Sequence, residues 1–364
     1  MPSIPSLPKL TLTRPLVVAP MAGGPSTAQL AIAVAATGGF PFLAGGYLSA
    51  EALKAQVDAY TEATDAPAGV NLFVPDPAAQ EIDEDVYLKY RHQIISKLKL
   101  DPQLLPEAPI YSDDAFNDKL NVTLSSSIPV ISFTFGYPTA QVIDRVHQAR
   151  RWVALNATSC AGIDAAVRHG ADLLIVQGPD AGGHRASVPD ADHFDASPST
   201  GELLAYATRH HRVPVIAAGG IAGPHDVAEL LAEGATAVQV GTLFLDAVEA
   251  GTKQTHRLGL RNLIDRDTVI TRAFTGRPAR AIRNQFTDAL SDQAPDLYPQ
   301  LHYLTSGIRK QADQQHNPEH LNLWAGTGFR NIQHLPAAEI VEHLLSASTL
   351  ADHPQRLAGL RSSG

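Results

Sequence analysis

The sequence predicts an α/β fold, a (β/α)8 TIM barrel with a smaller, mostly helical cap domain. Three observations predict it. Eight short apolar runs rich in β-branched residues are followed, nearly every time, by a stretch of helical period. The runs are apolar throughout rather than alternating, which suits strands with a packed interior on one face and helices on the other. Glycine pairs, Gly23-Gly24, Gly45-Gly46, Gly182-Gly183 and Gly219-Gly220, fall just past the carboxyl ends of expected strands, the end of a barrel where sites are built.

In chain order the expected strands are Leu16–Ala19, Phe40–Leu43, Gly69–Phe73, Val130–Phe133, Trp152–Leu155, Leu173–Val176, Val213–Ala217 and Ala237–Val240. Helical period is clearest over Ala28–Ala36, Ala50–Thr61, Ala140–Arg150, Cys160–His169 and Val227–Glu233. Eight such units favour a closed barrel over an open doubly wound sheet. Residues 1–78 and 128–250 are assigned to the barrel and residues 79–127 and 251–330 to the cap, with one cap strand over Val269–Phe274. Residues 331–364 are left as a C-terminal helix and tail.

Composition narrows the function. The chain has 364 residues, 28 Lys+Arg against 37 Asp+Glu and a formal charge of -9. No basic stripe is present to grip a phosphate backbone, the "IRKQ" around Arg309 being too short to count, so nucleic acid is not an expected partner. The Pro-rich start lacks the apolar core of a signal peptide, and no apolar run is long and clean enough to span a bilayer. A cytoplasmic enzyme without a membrane partner is expected. A single cysteine, Cys160, cannot form an internal disulfide. It stands at a helix start that lowers a thiol's pKa, and is assigned a structural role.

The most specific pattern is "VIAAGGIAGPHDVAELLAEGATAVQVGT", two consecutive βα units with glycine directly after each strand. Loops seven and eight form the recurrent phosphate site of barrel enzymes, which singles out Gly219, Gly220, Gly241 and Thr242. A second pattern, "DLLIVQGPDAGGHRAS", places His184 behind two glycines, exposed to whatever they cradle. Histidine is the usual proton-transfer group at neutral pH. His92, His147, His169, His210 and His211 are read as helix-surface or helix-end residues. No metal is expected, since no HxxxH, HxH or carboxylate-histidine spacing accompanies His184. Asn71 in "GVNLFVP", Gln177 and Gln239 stand at strand ends, and three carboxamides there suit a ring with mixed donor and acceptor edges, as a flavin has.

These segments, with "VVAPMAGGPSTAQLAIAVAATGGFPFLAGGYLS", "SFTFGYP" and the late "WAGTG", resemble in order and spacing the nitronate monooxygenases, from roughly the first strand to Gly328. The resemblance implies FMN across the strand ends, with Met21, Ala22 and Gly23 under the ring, Asn71 and Gln177 at its polar edge and Gly182 beside it. Its phosphate would lie on Gly219, Gly220, Gln239, Val240, Gly241 and Thr242, helped by the turn at Trp324 to Gly328. His184 matches the family's catalytic histidine, and Tyr111, Tyr298 and Tyr303 fall where the family lines its substrate pocket. The implied chemistry is oxidation of an alkyl nitronate, such as propionate-3-nitronate, by flavin and dioxygen to a carbonyl compound and nitrite. Relatives with the same motifs are NAD(P)H-dependent quinone reductases and flavin-dependent enoyl-acyl carrier protein reductases. A non-catalytic flavin- or phosphate-binding sensor barrel is the reading of a different class. The cap arginines Arg272, Arg277, Arg280 and Arg283 are assigned to surface ion pairs and helix ends.

Overall fold

The computed structural model describes residue 7, residues 10–186 and residues 197–348. Its strands are β1 (Leu16–Val18), β2 (Phe40–Ala44), β3 (Gly69–Phe73), β4 (Val130–Thr134), β5 (Trp152–Ala157), β6 (Leu173–Gln177), β7 (Gly183–His184), β8 (Val215–Ala218), β9 (Ala237–Val240), β10 (Thr268–Thr271) and β11 (Ala279–Ile282). Eight of them close a parallel barrel in the order β1-β2-β3-β4-β5-β6-β8-β9, with β9 returning to pair with β1. The remaining three form an antiparallel sheet in the order β10-β11-β7.

The helices up to β9 are α1 (Ala28–Ala36), α2 (Ala50–Ala63), α3 (Glu84–Leu98), α4 (Phe116–Ser125), α5 (Ala140–Gln148), α6 (Cys160–Arg168), α7 (Thr200–His210) and α8 (Pro224–Ala232). After β9 come α9 (Gln254–Asn262), α10 (Gln285–Leu290), α11 (Gln300–Leu304), α12 (Ser306–Gln314) and α13 (Ala337–Leu345). Several barrel helices start on a side-chain cap: Thr27, Ser49, Thr139, Ser159 and Ser199 each accept a backbone N–H of the first turn. Such a cap satisfies a donor that the helix leaves unpaired.

Strand periodicity sorts the core into two shells. Val17, Phe42, Val130, Ala154, Ile175, Ile216 and Ala237 fill the barrel interior, and Leu10 and Leu12 from the N-terminal segment pack into the same cluster. Their outward neighbours Leu16, Leu43, Ile131, Leu155, Leu174, Ala217 and Val238 meet the helices. A separate core, built on Tyr87, Tyr90, Phe274, Phe286, Leu301 and Ile308, joins α3 to the segments after β10.

Two segments sit differently from the expected division. Phe116 and Leu120 of α4 belong to the barrel core, as do Ala337, Ile340, Val341 and Leu344 of α13. Helix α4 packs beside α2 and β3, and α13 packs between α1 and α8. Each completes a βα unit after a long insertion, because β3 and β9 would otherwise have an uncovered apolar face. The cap also holds more strand than expected, since β7 and β11 are too short to give a periodic signal. The Asp- and Ser-rich stretch after His184 lies, over residues 187–196, outside the described residues, as do residues 349–364 of the tail.

Candidate active site

At the carboxyl ends of the barrel strands lies a cavity of about 390 Å³. Met21, Ala22, Gly23, Asn71, Gln177, Gly182, Gly219, Gly220, Gln239, Val240, Gly241 and Thr242 all line it, together with His184. Short loops after β1, β6, β8 and β9 bring these residues together. Gly219 and Gly220 have φ of +97° and +78°, a left-handed conformation that costs a side-chain-bearing residue roughly 1–2 kcal/mol. Gly182 answers a different need. A Cβ there would lie 2.4 Å from the Gly326 nitrogen, so the absent side chain is what admits the "WAGTG" turn. That turn is fastened to the other loop, since Gly326 N–H donates to Thr242 Oγ1 at 2.9 Å.

The carboxamides divide by role. Asn71 donates to Ser132 Oγ at 2.9 Å and Thr134 Oγ1 at 3.0 Å, which orients it at the cavity wall. Gln177 is committed to its own loop: Nε2 donates to the His184 carbonyl at 3.1 Å and Oε1 accepts Ala186 N–H at 2.9 Å. It therefore fixes the histidine loop more than it reads a ligand. Gln239 Oε1 is buried with no hydrogen-bond partner among the described residues, and so is Nε2 of His256, another cavity residue. Such groups cost free energy until a ligand donor reaches them.

His184 stands on β7, held by pairing to Ala279 of β11. Its Nε2 lies 2.9 Å from Thr275 Oγ1. The Thr275 hydroxyl also lies 3.2 Å from the Arg277 carbonyl, so one hydroxyl bridges the His184 ring and the backbone of the cap. Burial, then the charges of Arg277 and Arg309, pull the His184 pKa down to about 3, so the ring is neutral at pH 7. Phe135 and Trp324 pack on it at ring-centroid distances of 5.1 and 5.2 Å.

The arginine assignment needs correcting. Arg283 is exposed and paired with Asp288, as expected. Arg277, however, is buried, with its guanidinium carbon 5.1 Å from the Phe135 ring centre and 5.2 Å from that of Tyr298. Arg280 donates to the Pro179 carbonyl and Thr268 Oγ1. Arg309, dismissed with its short basic run, lines the cavity and donates to the His302 carbonyl at 2.6 Å. Burial lowers its pKa to about 10. Among the described residues neither Arg277 nor Arg309 has a carboxylate within 4.0 Å.

The tyrosines divide as well. Tyr298 packs against Phe135, with its ring centre 6.4 Å from that of His184. Tyr303 stands edge-on to His302 at 5.2 Å. None of the three lines the cavity: Tyr298 and Tyr303 stand against the lining residues Phe135 and His302, whereas the Tyr111 hydroxyl donates to the Asp76 carbonyl at 3.3 Å. Sequence reasoning missed Tyr47, Thr275 and His302, all of which line the cavity. It also misplaced His147, which is buried and bonded to Asp172 at 2.9 Å. The Cys160 thiol has a raised pKa rather than a lowered one, because burial and Asp164 outweigh the helix start.

A closed barrel with one capped cavity at its strand ends defines the class, a barrel enzyme acting on a small molecule. The nitronate monooxygenase family model matches residues 5–347. Probable nitronate monooxygenases of Staphylococcus saprophyticus and Staphylococcus aureus strain Newman are 31% and 32% identical, covering 92% and 93% of this chain and 95% of each relative. The solved nitroalkane oxidase from Streptomyces ansochromogenes is 37% identical, with a TM-score of 0.86 over 95% of this chain and 98% of that one. FabK from Thermotoga maritima, 24% identical with a TM-score of 0.70 over 96% of each chain, shares the fold. The chain belongs to the nitronate monooxygenase family and is a flavin-dependent oxidoreductase. Among the described residues no helix is long and apolar enough to cross a membrane.

Proposed function

We propose that the chain is an FMN-dependent monooxygenase that oxidises alkyl nitronates with dioxygen to carbonyl compounds and nitrite. The observation that carries this reading is a neutral His184 facing a cavity lined by the Arg309 guanidinium, with Arg277 buried behind the lining residue Phe135, neither arginine having a carboxylate partner among the described residues. A compact anion supplies the missing charge, and a nitronate is one.

The cavity's own groups suit FMN. The unpartnered acceptors Gln239 Oε1 and His256 Nε2 call for donors such as the hydroxyls of a ribityl chain. Gly219, Gly220 and the turn opening at Gly241, which no side chain caps, offer backbone N–H groups to a monophosphate. When bound, the flavin supplies the electron transfer. The chain's residues do the rest. Thr275 holds the His184 ring by Nε2, and in this reading Nε2 keeps the ring proton while Nδ1 accepts a proton from a neutral nitroalkane or a hydrogen bond from a substrate. Phe135, Trp324 and Tyr298 keep water from that atom. Arg309 orients the nitro oxygens, and an anion beside it offsets the field of Arg277 and Arg309 that holds the His184 pKa down.

The alternative, a nicotinamide-dependent reductase, needs a second anchor for a dinucleotide. Three of the cap arginines that could serve as one are engaged elsewhere: Arg277 on the rings of Phe135 and Tyr298, Arg280 on Pro179 and Thr268, Arg283 on Asp288. The test is direct. Heat-released cofactor should be FMN by mass spectrometry, and aerobic protein should release nitrite from propionate-3-nitronate. FAD in the extract, or bleaching by NADH within seconds under argon with no response to nitronate, would overturn the proposal.

A further inference from the structure

The loop after β2 puts Tyr47 in a costly conformation. Its φ is +65°, a region that residues with a Cβ avoid. A buried device holds it there. Tyr47 N–H donates to Asp114 Oδ1 at 3.0 Å, Asp114 pairs with Lys119 at 2.5 Å, and Lys119 Nζ donates to the Gly45 carbonyl at 2.9 Å. Lys119 is only 1% exposed. A buried ion pair spent on one strained turn marks the side chain that the turn presents.

That side chain reaches the cavity. The Tyr47 ring lies on the His302 imidazole at 4.0 Å and an interplanar angle of 4°, and stands edge-on to Phe73 at 5.1 Å. Its hydroxyl is buried beside the Tyr298 hydroxyl and, among the described residues, makes no hydrogen bond of good geometry. Burial raises the Tyr47 pKa, so the hydroxyl keeps its proton at working pH. The next cation is Arg309, which donates to the His302 carbonyl beneath the stacked pair. Phe73 touches Phe135, and Phe135 touches His184. Tyr47 and His184 thus face the same space from opposite ends of one aromatic row.

We propose that the Tyr47 hydroxyl is a substrate-binding donor that, with the Arg309 guanidinium, grips the oxygens of a planar anionic head and sets specificity for it. The assignment rests on the nitronate reading above and adds to it a residue of the β2 loop. Tyr47 is a binding residue, and Asp114 with Lys119 positions it.

The experiment uses flavin-loaded protein. Nitrate, a planar oxyanion that cannot be oxidised at carbon, is titrated into wild type and Tyr47→Phe and followed by the flavin absorbance change. Steady-state KM and kcat for propionate-3-nitronate are measured beside it. Removing one hydrogen bond to a charged group should raise the nitrate Kd and the nitronate KM about 10- to 100-fold. The kcat and the melting temperature should stay near wild type, because phenylalanine keeps the stack on His302. A second variant, Tyr47→Asn, tolerates the left-handed backbone and should weaken nitrate binding at least as much. Unchanged nitrate Kd and KM in both variants would overturn the proposal. Failure of the nitronate reading looks different: wild type then yields no nitrite from nitronate, and the nitrate titration alone decides the role of Tyr47.

Discussion

Acid should destabilise this protein well above the pH at which carboxylates titrate. His184, His256 and His302 are held neutral by burial, with pKa values of about 3 and about 4 for the first two and well below the ordinary value for the third. The unfolded chain binds a proton at each below about pH 6.5 while the folded chain does not, so stability falls as pH falls. From pH 7.5 to 5.5 each such histidine costs about 1.4 kcal/mol, and the three together about 4 kcal/mol. His147 works the other way, because Asp172 raises its pKa and its stabilisation is present at low pH. Its opposing contribution over that range is at most about 1.4 kcal/mol. In a chain of 364 residues a net loss of roughly 3 kcal/mol corresponds to a melting temperature lower by about 4 °C. The assay is a thermal melt at saturating flavin and constant ionic strength at the two pH values. His184→Asn should remove about one third of the three-histidine loss. Equal pH dependence in wild type and His184→Asn, or a higher melting point at pH 5.5, would refute the reasoning.

Two further outcomes follow from the same geometry. His184→Asn should retain flavin and fold while slowing turnover, and if Nδ1 takes the carbon-bound proton the loss on neutral nitroalkanes should exceed that on preformed nitronates by ~10²–10⁴; equal losses measured in parallel assign the residue to positioning instead. Gly182→Ala should cost about 1–3 kcal/mol by overpacking and loosen flavin binding, since its Cβ would meet Gly326 N at 2.4 Å and Ala325 C at 2.6 Å; a flavin titration and melt matching wild type would show that the "WAGTG" turn yields freely.

Much of the barrel was legible because its strands are apolar on both faces, so runs such as Gly69–Phe73 announce themselves without any partner in view. Loops built by local chain geometry were legible too: Gly219, Gly220 and Gly241 sit where two consecutive strands end. The cap half of the cavity was not. Arg277 and Arg309 read as solvated charges because their burial depends on Phe135, Tyr298 and His302, which are remote in sequence from at least one of them. A positive φ at Tyr47 leaves no mark, since the residue that makes it tolerable, Asp114, lies 67 positions away. For α4 and α13 the obstacle was different. Long insertions separate each from the strand it covers, so their apolar faces read as cap or tail until β3, α1 and α8 are seen to need them.

The pairing of β7 with β11 has a mechanical consequence. His184 is reached from barrel strand β6 through a short loop, yet its backbone is hydrogen-bonded into the cap's own sheet. The histidine thus belongs to both bodies, like a pin through a hinge leaf. Swinging the cap outward to admit a substrate would draw the imidazole, together with Thr275 from the β10–β11 connection, off the barrel mouth. Entry and exit must then be managed by side-chain rotation at the rim, and any lesion that unseats the cap should silence the chemistry before it empties the barrel.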